Sequence, residues 1–491
     1  MPQLTNLRGA SMLDNFRLEN DGLGEIPVPQ HVYYGAHTER ARKLFSVSGR
    51  TLAQYPAYLT ALARVKKAAA LANADAHVIP VRIAAVISQA ADEIIAGSIG
   101  SEHFPIDILA GGGGVSFNRN LNEVLAARGS EILTGHRASG EVSPGGHVNA
   151  SQSTGDVLFT ALHLALHSDL TDLLLVLRHL QEVLEAKVAS LDNVVKASRT
   201  CLQDATPITF GQEFSAYLAS TNRGVFRLER AIEACLDVTL GSTAIGTGVG
   251  AGARYQAAVL PRLAEVTGLE LRRHPNPFDD YTNADVFLTA SAQLRTLAGN
   301  LSKFCRDLRL MASGPRAGFM EIRLPEVQVG SSFFPGKINP TLPEFMMQIS
   351  YQVVGNDSIV AAGIEGSEFN FNVWIAVIAK NLFESCQLLT RTLPGFTDDC
   401  VAGIQVDIER NWMHAEHSLG AASVVGAALG YETGEMVARY AIEHHLSVRE
   451  SAIVLGLLSA AEAAELLDPI VLTDRNRSGQ ALDRFTEGRR P

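Results

Sequence analysis

The sequence predicts a mainly all-α fold of three domains built around a central long-helix bundle. Five stretches repeat Leu, Ala and Val at spacings of three and four, over lengths well beyond the usual helix of about three or four turns. The longest, from Thr154 to Lys196, contains no proline. A chain of 491 residues suits about three domains on the usual length prior and is ample to bury a large core.

An N-terminal mixed helical domain, residues 1–150, begins the chain. Leu59, Leu62, Ala63, Val65, Lys66 and Ala69 mark one buried helical face, and Ile83, Val86, Ile87, Ala90 and Ile94 a second. The Gly111 to Gly114 run then breaks regular structure. The bundle, residues 151–403, opens with 154–196, where Ser168-Asp169 is the one expected interruption. It continues with 213–236, 284–312, 341–364 and 372–391, and five long helices imply a bundle. Leu393-Pro394-Gly395 interrupts the pattern and Asp398-Asp399 adds charge, marking the entry to a small C-terminal helical domain, residues 404–491. Short helices are expected there at 434–445, 447–457 and 459–467, and the polar closing segment from Arg475 to Pro491 is expected to fray.

A formal charge of -11 makes nucleic acid and anionic membranes poor partners, although an anionic substrate meets local cations and not the average surface. No stretch reaches the roughly 18 uninterrupted apolar residues of a membrane span. The start, with Arg8, Asp14 and Arg17, lacks signal-peptide architecture, so a soluble, cytoplasmic protein is expected. Cysteines 201, 235, 305, 386 and 400 are dispersed and form no Cys-x-x-Cys pair, which argues against a disulfide framework or a zinc ribbon. His163 and His167 lie one helical turn apart without a third ligand. No metal is expected there or at His414/His417 and His444-His445. Gly246 to Gly252 lacks both a preceding strand and the G-x-G-x-x-G register, and reads better as a turn or packing segment than as a dinucleotide loop.

Chemistry concentrates in the run Gly330-Ser331-Ser332-Phe333-Phe334-Pro335-Gly336-Lys337-Ile338-Asn339-Pro340. It places two hydroxyls, a cation and a carboxamide on one glycine-bounded loop, a set suited to gripping a carboxylate and removing a nearby proton. A phosphate loop fails on spacing, and Ile338 stands where its magnesium-binding hydroxyl belongs. An ordinary connecting loop is the plain alternative.

This run is similar to the GSSxMPxKxNP signature of the aspartase/fumarase superfamily, with Phe334 at the usual methionine. Tyr34 to Thr38, Phe104 to Asp107, Asn122 to Leu125, Gln152 to Thr154, Arg199 to Ala205 and Val354 to Asp357 resemble further segments of that family in the same order. His147-Val148-Asn149 and Ser313 to Gly318 read like the aspartate ammonia-lyase branch. The resemblance implies the family's three-domain fold, a homotetramer with active sites shared between subunits, no cofactor and a small dicarboxylate substrate. The implied reaction is anti-elimination from a succinate skeleton to give fumarate and a small leaving group.

By the same match Ser331 and Lys337 are the catalytic residues, with Ser331 the proton-abstracting base. Ser153, Thr154 and Ser332 correspond to the hydroxyls around the carboxylate that gains charge in the enediolate. Thr200, Lys337 and Asn339 correspond to the groups holding the other carboxylate. Such a site must bind the dianion tightly and the transient trianion more tightly still.

Three positions depart from the family. Aspartases and fumarases carry threonine at the place of Val115, asparagine at Gly155, and glutamine or histidine at Cys201, around the group that leaves. Hydrogen bonds to a charged group contribute roughly 1.5 to 3 kcal/mol each, so losing three withdraws about 4 to 9 kcal/mol from an ammonium before water compensates. The expected consequence is a larger, less polar pocket and a non-standard leaving group, such as nitro or a substituted amine. Arg119 replaces a common family methionine and offers a cation to an anionic leaving group; its plain alternative is a packing or interface ion pair. Cys201 as a nucleophile lacks an activating histidine in its motif, so a small pocket-lining residue is the preferred reading. The alternatives are an ordinary aspartate ammonia-lyase and, in another class, a non-catalytic structural or binding relative.

Overall fold

The computed structural model describes residues 15–488 and is predominantly helical. Arg8 and Asp14 lie outside the described residues. The long helices are Thr154–Ser190, Phe210–Ala234, Asp285–Met311, Thr341–Glu365 and Ile375–Phe396. Among the described residues, strands are short and join only in pairs. Two compact units emerge. One takes the described part of Met1–Leu174 with Phe226–Thr296 and Tyr351–Thr390; the other takes Leu175–Val225, Leu297–Ser350 and the described part of Arg391–Pro491.

In the first unit, the helices Pro56–Asp75 and Val81–Ile95 bury the two predicted faces, Pro56 sitting in the first turn, where its missing N–H leaves nothing unsatisfied. Of three acidic residues from the family-like segments, two tie down loops and the third joins two long helices. Glu123 accepts from Gly35 N at 2.8 Å, His37 N at 3.0 Å and Thr38 Oγ1 at 2.6 Å, anchoring the start of the helix Ala36–Leu44. Asp107 accepts from Val47 N, Ser48 N and Leu109 N, and Asp357 from Ser291 Oγ.

In the second unit, strands Val195–Thr200 and Gln203–Thr209 form an antiparallel hairpin. The last helices share an apolar cluster that includes Val425, Val437, Val448, Ala452, Leu466 and Phe485.

The local expectations hold for the helices and fail at their ends. The chain does not break at Ser168-Asp169, because Leu166, Leu170 and Leu173 are fully buried around that point and packing outweighs local propensity. The same helix stops at Ser190, and Val195 already belongs to the hairpin. Pro394 lies inside Ile375–Phe396, held by buried Leu393 and Phe396; the wider turn comes at Thr397–Val401. The closing segment is a helix, Arg475–Gly488, docked through buried Ala481 and Phe485, which lie one turn apart. The helix Thr154–Ser190 is long and apolar enough to cross a membrane, but most of its most apolar window is buried within the chain.

Candidate active site

Ser153, Thr154 and Gly155 open the longest helix. Asp156, buried in its first turn, turns back to accept from Ser153 N at 2.9 Å and also takes Gly241 N at 3.2 Å and Thr243 N at 3.3 Å. Ser153 Oγ accepts from Gly155 N at 3.1 Å. These bonds satisfy amides that a helix start leaves open and fix the backbone on which the hydroxyls stand. Burial raises the Asp156 carboxyl above the usual carboxylate range, opposed by these amides and by the charge of Lys66.

Thr154 Oγ1 accepts from Asn118 Nδ2 at 3.3 Å. The same amide reaches Asn149 Oδ1 at 3.1 Å, which also receives Asn122 Nδ2 at 3.2 Å and Lys66 Nζ at 2.9 Å. Lys66 donates again to Gln152 Oε1 at 3.0 Å. It is fully buried, and desolvation pushes its amine down to about 7. Val115 begins the helix Val115–Thr134 and is 40% exposed. Arg119, one turn on, is exposed and makes no ion pair or hydrogen bond among the described residues.

Gly155 corrects the expectation of a larger pocket. A Cβ added there would lie 2.9 Å from Phe371 Cε2 and 3.2 Å from Ala244 O. The space released by the missing side chain is filled by an aromatic ring. The other atoms such a Cβ would meet are polar, Ala244 O and, at 3.4 Å, Ser153 Oγ, and the pocket is not roomier at this position.

The second unit carries the other residues in two places. Thr200 ends the first strand of the hairpin, and Cys201 and Leu202 form its tip, both with positive φ, +53° and +61°. Non-glycine residues in this region are strained and persist only where surrounding structure holds them. Beneath the tip, buried Glu321 pairs with Arg199 at 2.6 Å and Lys196 at 3.2 Å, and Lys196 also pairs with Glu213. Thr200, Cys201 and Ser332 are exposed, and the hydroxyls of Thr200 and Ser332 make no hydrogen bond among the described residues.

The Gly330 to Asn339 loop is tied to itself. Asn339 Nδ2 donates to Gly330 O at 2.6 Å, and Lys337 Nζ donates to Asn339 Oδ1 at 2.7 Å. A Cβ on Gly330 would fall 1.9 Å from Lys337 O, so only glycine permits this crossing. Gly336 has φ +75°, and the tight turn it makes is part of a closed ring, not a free hinge. Ser331 Oγ accepts from Phe333 N at 3.1 Å and Phe334 N at 2.9 Å.

Ser153, Thr154, Gly155 and the start of the Val115 helix therefore converge in the first unit. In the second, no hydrogen bond or ion pair among the described residues joins the hairpin tip to the loop. Sequence reasoning missed Asn118 and Phe371. Asn118 and Asn122, polar residues one turn apart on a buried helix face, were a usable signal; Phe371 offered none. Lys66 was assigned only to a helix face.

Residues 24–355 match the Lyase family and residues 426–474 the Fumarase C C-terminus family. The chain is 38% identical to an aspartate ammonia-lyase of a Bacillus species over 96% of its own length and 100% of the relative. It is 40% identical to a class II fumarate hydratase of Neisseria meningitidis over 93% of its length and 98% of that protein. The structure is similar to a fumarate lyase:delta crystallin from Brucella melitensis, with a TM-score of 0.90, 40% identity, and coverage of 94% of this chain and 100% of that one. A class II fumarase from Schistosoma mansoni also gives a TM-score of 0.90, with 31% identity and coverage of 93% and 99%. The identities do not separate the aspartase and fumarase branches.

Proposed function

The chain belongs to the aspartase/fumarase superfamily of lyases, and from that premise we propose that it eliminates a non-standard C2 substituent, nitro or a substituted amine, from a succinate-type dicarboxylate to give fumarate. The observation that carries this reading is the Ser331 hydroxyl oxygen receiving two backbone amides. Fixed amide donors stabilise negative charge on an oxygen, which is what a serine needs to act as a base. Ser331 takes the C3 proton and the resulting enediolate is stabilised at the carboxylate held by Ser153, Thr154 and Ser332. Lys337, Asn339 and Thr200 hold the other carboxylate. The C2 substituent then departs with its bonding pair.

The altered leaving group is supported by Val115, Gly155 with its neighbour Phe371, and Cys201, none of which supplies a strong hydrogen-bonding group. Arg119, exposed and unpaired among the described residues, is available to an anionic leaving group. An ordinary aspartate ammonia-lyase is the second reading, favoured by 38% identity along nearly the whole chain, with water supplying the missing hydrogen bonds.

We further propose a cytoplasmic homotetramer with shared sites. Phe226 and Tyr351, on long helices, are 61% and 56% exposed in the single chain, as expected of a face that packs on another copy.

The test is fumarate release, followed by ultraviolet absorbance, from L-aspartate, L-malate, 2-nitrosuccinate and N- and S-substituted succinates, with Ser331→Ala alongside. Release from nitro- or N-substituted succinate, lowered by about a thousandfold or more in Ser331→Ala, is the expected result. Rapid release from aspartate alone restores the ordinary aspartase. Unchanged rates in Ser331→Ala remove serine as the base.

A further inference from the structure

Gly113 and Gly155 lie in different segments, yet a side chain on either would strike the same ring. The added Cβ at Gly155 would lie 2.9 Å from Phe371 Cε2, and that at Gly113 3.0 Å from Phe371 Cε1. These two carbons flank Cζ, so the outer rim of the ring is held between the two glycines. Gly113 also has φ +62°, a conformation that itself favours glycine.

The base of the ring is anchored. Asn372 N donates to Tyr281 O at 2.7 Å, and the buried Asn372 side chain donates to Gly363 O at 3.1 Å. Behind it, Phe371 packs against Phe159 with ring centroids 5.6 Å apart and Tyr281 at 6.3 Å. A ring fixed in this way is a wall and not a mobile side chain. Gly155 directly follows Thr154 in the chain and Gly113 lies two residues before Val115, so the segments that hold the rim carry residues of the candidate site.

We propose that Phe371 is a specificity-determining residue, whose rim closes the leaving-group subsite to bulky substituents and to ammonium and leaves it to a compact, electron-rich group of the nitro class. This rests on the elimination reading above. The rim of an aromatic ring carries the partial positive charge of its C–H bonds, which suits nitro oxygens and repels a cation. It offers an ammonium no acceptor. For a nitro substrate the step balances without an oxidant or reductant: the C3 proton goes to Ser331, the C3–H pair becomes the second C2–C3 bond, and the C2–N pair leaves with nitrite.

Gly155→Ala, Phe371→Ala and the double variant test the packing by thermal melts, with Phe371→Leu as a conservative variant that keeps most of the buried area. Gly155→Ala is expected to lower Tm, and Phe371→Ala to cancel that loss in the double variant. Fumarate release from 2-nitrosuccinate, L-aspartate and an N-alkylaspartate tests the specificity. The ratio of kcat/KM for N-alkylaspartate over 2-nitrosuccinate should rise by ~10-fold or more in Phe371→Ala and less in Phe371→Leu. Additive melting shifts overturn the packing. Coupled melts with an unchanged substrate ratio overturn the specificity role and leave a structural filler. Wild-type protein that releases fumarate from none of the panel sinks the elimination reading, and the specificity role with it, while the melts still judge the packing.

Discussion

Lys66 shows how a single residue couples the candidate site to stability. The unfolded lysine titrates near its ordinary 10.5, whereas the buried amine titrates near 7. Between those values the unfolded chain holds a proton that the folded chain has released, so this residue makes stability rise with pH across that window; below it the burial penalty stands in full. Lys66→Met should therefore flatten the increase in denaturant stability between pH 7 and pH 10, and an unchanged slope would place the titration elsewhere. The same substitution leaves the Asn149 and Gln152 oxygens without their amine, so KM should rise several-fold through loss of order at Thr154. Sequence singled out Thr154 and Ser331 because both sit in short contiguous motifs. Phe371 was not legible because its importance depends on two glycines far away in sequence, and nothing in Phe-Asn-Phe-Asn announces them. The space at Gly155 was misjudged for the same reason: loss of a side chain creates space only if no neighbour fills it.

At the scale of elements, the Gly330 to Asn339 loop is the most exacting piece of backbone. Gly330→Ala would drive a methyl into Lys337 O, forcing the loop apart and displacing Ser331 from its two amides. The loop is largely exposed and contributes few buried contacts, so Tm should change by only a degree or two while kcat falls by ~100-fold. A large Tm loss would instead make the loop part of the stability core. The long helices were readable because an apolar repeat of three and four leaves only one regular structure that buries it. Their ends were not, since the residues that prolong Thr154–Ser190 through Ser168-Asp169, or hold Pro394 inside a helix, are the packing partners of buried leucines. The docking of Arg475–Gly488 was missed because a polar helix with only Ala481 and Phe485 turned inward has almost the composition of a disordered tail.

At the scale of the whole molecule, the candidate residues fall in three groups: Ser153 and Thr154 in the first unit, and the Thr200 hairpin tip and the Ser331 loop in the second, where no bond joins tip to loop among the described residues. A shared-site assembly brings such groups together from different copies. It follows that Ser331→Ala and Thr200→Ala chains, each inactive alone, should regain fumarate-releasing activity after being mixed, dissociated and reassembled, because some sites then draw every group from an intact source. No recovery would mean that each copy builds its site alone. In genetic terms, a site shared between copies in this way would make two defective alleles of one gene capable of complementing each other, so that a cell carrying both would retain an activity that neither allele encodes by itself.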